Sequence, residues 1–150
     1  GKQAPTAETI VRAAARLSEL AAFGKSLGVR IVTENWHALL STPAAVHAVM
    51  DRVGADLGLL ADFGNWSGPQ KYADLAAILP RAEDTHAKAA FSAPGIMDAE
   101  DYGRCVDLAA AAGYAGPYTL IYDGPGEDEW AGIAAEEAFI RHRLTAMAAV

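Results

Sequence analysis

Three stretches of this chain end an apolar or β-branched run on side chains able to hold a cation. Ile31-Val32-Thr33 runs into Glu34-Asn35-Trp36-His37, Leu57 to Ala61 runs into Asp62, and Arg81 to Thr85 runs into His86. Carboxylates and imidazoles bind hard and borderline divalent ions, and a side-chain amide can join them. The same groups take and give protons, so such a row also suits acid–base work. Strand ends are rigid while the loops beyond them are open to solvent, which makes them the usual address of a site in an α/β protein. One such end reads equally well as a strand running into a polar loop. Three in succession make a site the better reading. Two carboxylates, one imidazole and one amide accept Mn, Mg, Co or Zn without choosing among them.

The elements that must carry these groups follow from pattern. Thr6 caps a helix reaching Leu27, with Ile10, Ala14, Leu17, Leu20 and Ala21 at helical spacing and Gly28 as its left-handed stop. Val29 to Thr33 reads as a strand. Ser41-Thr42-Pro43 opens a helix to Val53, closed by Gly54. Asp56 to Asp62 is a strand apolar on both faces, and Phe63 to Gln70 is a loop rich in Gly, Asn and Ser. Tyr72 to Leu79 is a short helix ended by Pro80, and Arg81 to Ala87 a more polar strand. After a loop at Ser92-Ala93-Pro94-Gly95, Asp98 caps a helix to Ala112 with Gly113 as its stop. Pro117 to Tyr122 is a fourth strand. Asp123-Gly124-Pro125-Gly126 turns, and Glu127 or Asp128 opens a last helix whose Trp130, Ile133, Ile140 and Leu144 share a face that Glu137 interrupts.

Alternating strands and helices imply parallel strands joined by right-handed crossovers. A barrel and an open flavodoxin-like sheet both satisfy that. The face carrying Arg30, Glu34, Asp62, Asp84, His86 and Lys88 favours the barrel, because burying unpaired charges under a helix layer costs several kcal/mol each. At the mouth of a barrel they remain in contact with water.

The chain has 150 residues, 52% of them hydrophobic, enough for one packed domain spanning 1–150. A formal charge of -7, with no stripe of Lys or Arg, makes nucleic acid and anionic membranes poor partners. Cys105 stands alone in a helical pattern and reads as a buried apolar residue, so no internal disulfide is expected. The absence of a long apolar run and of a basic-then-apolar leader makes a cytoplasmic protein the default expectation. The chain opens on Gly1 and not Met, as a processed protein or a piece of something longer would.

Four motifs in order carry a family likeness. Thr33-Glu34-Asn35 is followed by Leu39 and Ser41-Thr42-Pro43; then come Leu60-Ala61-Asp62-Phe63-Gly64-Asn65, Thr85-His86-Ala87-Lys88 and Gly113-Tyr114-Ala115-Gly116. Together they resemble the carboxy-terminal half of the sugar phosphate isomerase/epimerase family, the xylose-isomerase-like barrels. The resemblance implies a (β/α)8 TIM barrel of which this chain supplies strands five to eight, from helix four to helix eight. It implies a divalent metal at the carboxy-terminal mouth, with Glu34, Asp62 and His86 as the first three ligands. The family's fourth ligand, a Glu, falls by count on Ile121, which cannot bind a metal. Asp123, two residues on, would share a face with Ile121 in a continuing strand; it stands either as a replacement ligand or as the first residue of a turn. Trp36 stands where the family usually has a histidine after Glu-Asn, and Asn65 where it commonly has the His of Asp-x-x-His. His37 and His47 read as surface or helix residues.

The activity so implied is isomerisation or epimerisation of a small sugar or polyol, with Glu34 moving a proton; Lys88, two residues beyond His86, reads either as orienting a substrate oxygen or phosphate or as a solvated rim lysine. Trp36, Asn65 and Tyr122 are the expected substrate contacts, with Trp66 a further apolar wall, although an indole at a strand end also serves plain packing. The rival reading is a degenerate, non-catalytic homologue that binds a small polar ligand. Four strands alone leave two sheet edges open, and open edges invite pairing. The expected partner is an amino-terminal half carrying strands one to four, or else a second copy. Light scattering on the isolated 150 residues checks this: self-association is expected, and a well-folded monomer at micromolar concentration would favour the open flavodoxin-like sheet.

Overall fold

In the computed structural model, residues 5–126 and 128–148 are described. Gly1 and Glu127 lie outside them, and so do the expectations placed on those two residues. The order is α1 (Ala7–Ser26), β1 (Ile31–Glu34), α2 (Pro43–Val53), β2 (Leu57–Asp62), α3 (Lys71–Ile78), a 3-10 turn (Leu79–Arg81), β3 (Ala82–Ala87), β4 (Phe91–Ala93), β5 (Ile96–Met97), α4 (Ala99–Ala111), β6 (Tyr118–Leu120) and α5 (Glu129–Ala148). Caps start the helices as their sequences require. The hydroxyls of Thr6 and Thr42 and the carboxylate of Asp98 each accept an amide three residues on, at 3.2, 3.3 and 3.0 Å. Gly28, Gly54 and Gly113 follow the helices at positive φ.

The main sheet runs β1-β2-β3-β6, every neighbour parallel. Strand order equals chain order, so each right-handed crossover steps the same way and sets its helix on the same face. That is half of a barrel wall. A flavodoxin-like sheet reverses direction at its switch point and puts helices on both faces, so the strand order excludes that alternative. Between sheet and helices lies the core, with Val46, Val49, Leu59, Phe63, Leu75, Ile78, Tyr102 and Val106 among its fully buried members. Each such side chain contributes about 1.5–3 kcal/mol by leaving water. Cys105 is buried among them, its thiol pushed up to about 12 by burial.

The fourth strand, expected over Pro117 to Tyr122, is shorter, at Tyr118–Leu120, and three further features differ from the sequence reading. The loop around Ser92 to Gly95 is a small antiparallel hairpin, β4 with β5, turning at Pro94-Gly95; these strands are too short to leave a period-two signal. β3 carries a bulge, since Leu59 faces Ala82 while Leu60 faces Asp84. The extra residue, Glu83, thereby joins the inner face, where its carboxylate pairs with Arg30. Gly58 makes room for it, because a Cβ there would lie 2.6 Å from Glu83 Oε2. Finally, α5 is rotated from the expected register. Trp130 is 81% exposed, and the face turned inward carries Gly132, Glu136 and Ile140. Tyr122 sets this rotation by packing directly on the helix backbone, where a Cβ at Gly132 would come within 2.1 Å of its ring.

Glu136 is fully buried, accepts the Ala89 amide at 2.9 Å through Oε1, and has no partner for Oε2. Burial pushes its carboxyl up to about 7, against the pull of the Ala89 amide. An unfolded glutamate titrates near 4.3, so the folded state holds its proton more tightly. The resulting stability is fully present below about pH 4 and is lost as pH rises through 7. Glu136→Gln should therefore melt several degrees above the wild type at pH 8 and level with it at pH 4. Thermal unfolding followed by circular dichroism measures this, and unchanged pH profiles in the two proteins would refute it.

Candidate metal centre

Glu34, Asp62 and His86 end adjacent parallel strands, and pairing aligns Glu34 with Leu60 and Asp62 with His86. Period two turns all three side chains to the inner face. His86 Nδ1 lies 3.3 Å from Glu34 Oε1 and 3.4 Å from Asp62 Oδ2. One donor atom from each residue lies within 4.8 Å of the others. Two carboxylate oxygens and one imidazole nitrogen so placed fit a divalent cation of the hard or borderline class.

The surrounding hydrogen bonds fix which atoms point inward. Asp62 Oδ1 accepts the amides of Gly64 and Asn65 at 2.6 and 2.8 Å, an Asx-type turn that leaves Oδ2 toward His86. Burial pushes the Asp62 carboxyl up from its ordinary range and the nearby Glu34 charge adds to this, while the two amides and Lys88 oppose the rise. Asn65 also donates from Nδ2 to Glu34 Oε1 at 2.7 Å. The structure thus gives Asn65 a hold on both carboxylates.

Asn35, fully buried, ties the first two strand ends together. Its Oδ1 accepts the Asp62 amide at 2.7 Å and its Nδ2 donates to the Asp62 carbonyl at 3.1 Å. The Phe63 amide then donates to the His86 carbonyl at 3.1 Å, linking the second end to the third. Asn35 stood in the sequence only as a neighbour of Glu34. The signal for its role was an amide one residue beyond an inner-face carboxylate, hence turned to the covered side, where both its polar atoms need partners.

The remaining predicted residues fall elsewhere. Asp123 pairs with Lys88, Oδ2 to Nζ at 2.8 Å, and is not one of the three converging groups. The bond to Asp123 holds the Lys88 ammonium above its ordinary pKa against the opposing effect of burial, with the charges of Asp62 and Glu34 adding to the rise. Ile121 lies beyond the end of β6, half-buried. Thr119, not Ile121, is level with His86, and its hydroxyl donates to Asp84 at 3.0 Å. Trp36 is 51% exposed and stacks on His37 at 4.1 Å, His37 itself having φ 51. Tyr122 donates to the Pro125 carbonyl at 2.6 Å and meets Phe91 edge-on, so its ring is committed to its own turn and to α5. Trp66 is buried, with its indole N–H on the Leu40 carbonyl at 3.2 Å.

Removing Asn35 would strand a buried amide and a buried carbonyl, at about 1–3 kcal/mol each. Asn35→Ala should accordingly lose roughly 2–4 kcal/mol in urea unfolding, whereas Trp36→Ala should stay within about 0.5 kcal/mol of the wild type. Equal effects from the two would show that the clamp does not hold the strand ends.

No curated protein matches the chain. A family model described as xylose isomerase-like TIM barrel matches residues 1–142. That span contains the sheet and all three converging side chains, and the four parallel strands are consistent with part of such a barrel. The chain belongs to the xylose isomerase-like TIM barrel family.

Proposed function

We propose that these strands form the metal-binding half of a sugar isomerase or epimerase, with Glu34, Asp62 and His86 as ligands to one divalent ion. The observation that carries this reading is the convergence of three donor atoms within 4.8 Å at adjacent strand ends, in a chain of this family. When bound, such an ion polarises a sugar carbonyl and its neighbouring hydroxyl, which acidifies the carbon between them. Glu34, on the open inner face, takes and returns that proton, and Asn65 fixes its Oε1. Lys88, charged and beside Asp62 and Glu34, orients a substrate oxygen, with Asp123 holding its ammonium. Asn35 positions the ligands and touches no substrate.

The strands here stand as five to eight of the closed barrel, completed by an amino-terminal half or by a second copy. The exposed apolar residues at the carboxy-terminal end of α1, Leu20 and Phe23 with Leu27 just beyond, support a covering partner, as does the open edge at β1. The described helices include none long and apolar enough to cross a membrane. A second reading, a non-catalytic homologue that retains the fold and a small polar ligand, draws on one observation: the fourth ligand counted from the resemblance falls on Ile121, beyond the end of β6, and Asp123 is taken up by Lys88. With Ile121 offering no carboxylate as a second base, a one-base isomerisation is favoured over a two-base epimerisation.

Metal titration of the purified protein with Mn and Zn tests the site. His86→Ala should weaken binding at least tenfold, and Asp123→Asn should leave it within about twofold while lowering the Lys88 pKa by removing its main partner. If Asp123→Asn loses metal as His86→Ala does, Asp123 is the fourth ligand. The chemistry is read separately, as deuterium uptake from solvent beside the carbonyl of a ketose panel. Uptake should vanish in Glu34→Gln. Metal binding without any uptake would favour the non-catalytic homologue.

A further inference from the structure

Beside the three ligands lies a cleft of about 450 Å³, large enough for a sugar-sized group. It opens between the loop after β2 and the segment leading from β3 into α4. Gly64 borders both places, since its amide holds Asp62 Oδ1 while its Cα faces the cleft. Lys88 lies across Gly64, where a Cβ would come within 3.0 Å of its Cδ, and so forms the wall shared by centre and cleft. Trp66, Tyr72 and Phe91 supply aromatic surface to the same space.

The charges of the cleft are already spoken for. Lys71 Nζ sits 2.7 and 2.6 Å from the two oxygens of Asp101, and Tyr72 donates to Asp101 Oδ1 at 2.9 Å. Lys88 is held by Asp123 at 2.8 Å, and Asp98 caps α4 through the Asp101 amide at 3.0 Å. Two ammoniums, Lys71 and Lys88, face three carboxylates, Asp98, Asp101 and Asp123, which leaves one negative charge in excess. A phosphate would have to break a salt bridge and then meet that excess. The Lys71–Asp101 pair is nearly buried, so breaking it would leave a charge uncompensated. An uncharged hydroxylated group meets no such cost. Its O–H groups donate to carboxylate oxygens that still have free lone pairs, its oxygens accept from the ammoniums, and its C–H face rests on the aromatic rings.

We propose that this cleft is a second subsite for a neutral polyhydroxylated unit, such as a glycosyl or polyol group. The substrate is then an unphosphorylated, extended sugar whose reacting carbons sit at the metal ligands and whose far end lies past Lys88. The assignment rests on reading Glu34, Asp62 and His86 as the reacting centre, but occupation of the cleft itself requires no metal.

Ligand-observed NMR with cellobiose and sucrose against glucose 6-phosphate tests it on the purified protein. The disaccharides should bind the wild type with EDTA present as well as absent, since the cleft itself holds none of the three ligands. Ser67→Trp, which fills the cleft from an exposed position, should weaken them at least tenfold with an unchanged circular dichroism spectrum. Phe91→Ala, which removes one wall, should weaken them at least fivefold and serves if Ser67→Trp fails to fold. The proposal is overturned if glucose 6-phosphate binds more tightly than both disaccharides, if neither disaccharide binds the wild type, or if filling the cleft changes nothing. Disaccharide binding abolished by EDTA would place the sugar at the ligands alone and overturn it too. Saccharide binding that persists where metal titration fails would sink the metal reading and leave the subsite standing.

Discussion

A carboxylate removed from water must be given other partners, and at Asp62 that requirement organises the whole carboxyl edge of the sheet. Its Oδ1 takes two amides from its own turn, its backbone takes both ends of the Asn35 side chain, and its Oδ2 is left facing His86. An unpaired charge at this depth would cost several kcal/mol. Because each partner comes from a different segment, satisfying Asp62 also fixes where β1 ends, how the loop after β2 leaves the sheet, and which way Glu34 and His86 point. Here stability and site geometry rest on the same hydrogen bonds.

The inner face tolerates charge because the helices cover only the other side. Arg30 with Glu83, Asp84 with Thr119 and Lys88 with Asp123 are each partnered across neighbouring strands or loops on the uncovered side of the sheet. Glu136 is the contrasting case. Turned into the helix layer with only the Ala89 amide for company, it relieves its position by holding a proton up to about pH 7. One type of side chain thus stands among converging polar groups on one face and as a proton-holding acid on the other, and its surroundings decide between the two.

The centre and the cleft beside it are joined by Gly64 and Lys88. A Cβ at Gly64 would press on the lysine stem at 3.0 Å, so the absence of a side chain there lets Lys88 lie close as the common wall. A group that reaches from the ligands to the cleft must pass the Lys88 ammonium, which Asp123 holds in place.

The sequence by itself determined the order and type of the principal elements, their caps, the strand ends at Glu34, Asp62 and His86, and the likeness to barrels of this family. Those features are encoded over a few residues, in apolar period, capping hydroxyls and glycine stops, so they can be read one segment at a time. The open choice between barrel and flavodoxin-like sheet was settled by strand order, which no single segment carries. Tertiary structure alone decided what depends on a neighbouring strand or helix. The bulge at Glu83 exists only relative to β2, the rotation of α5 follows from Tyr122 lying on Gly132, and the pairing of Asp123 with Lys88 comes from a loop no periodicity describes. Asn35 shows the division most clearly. Its residue type was plain in the chain, but its function is to satisfy backbone groups 27 residues away, and only the register between two parallel strands brings them together.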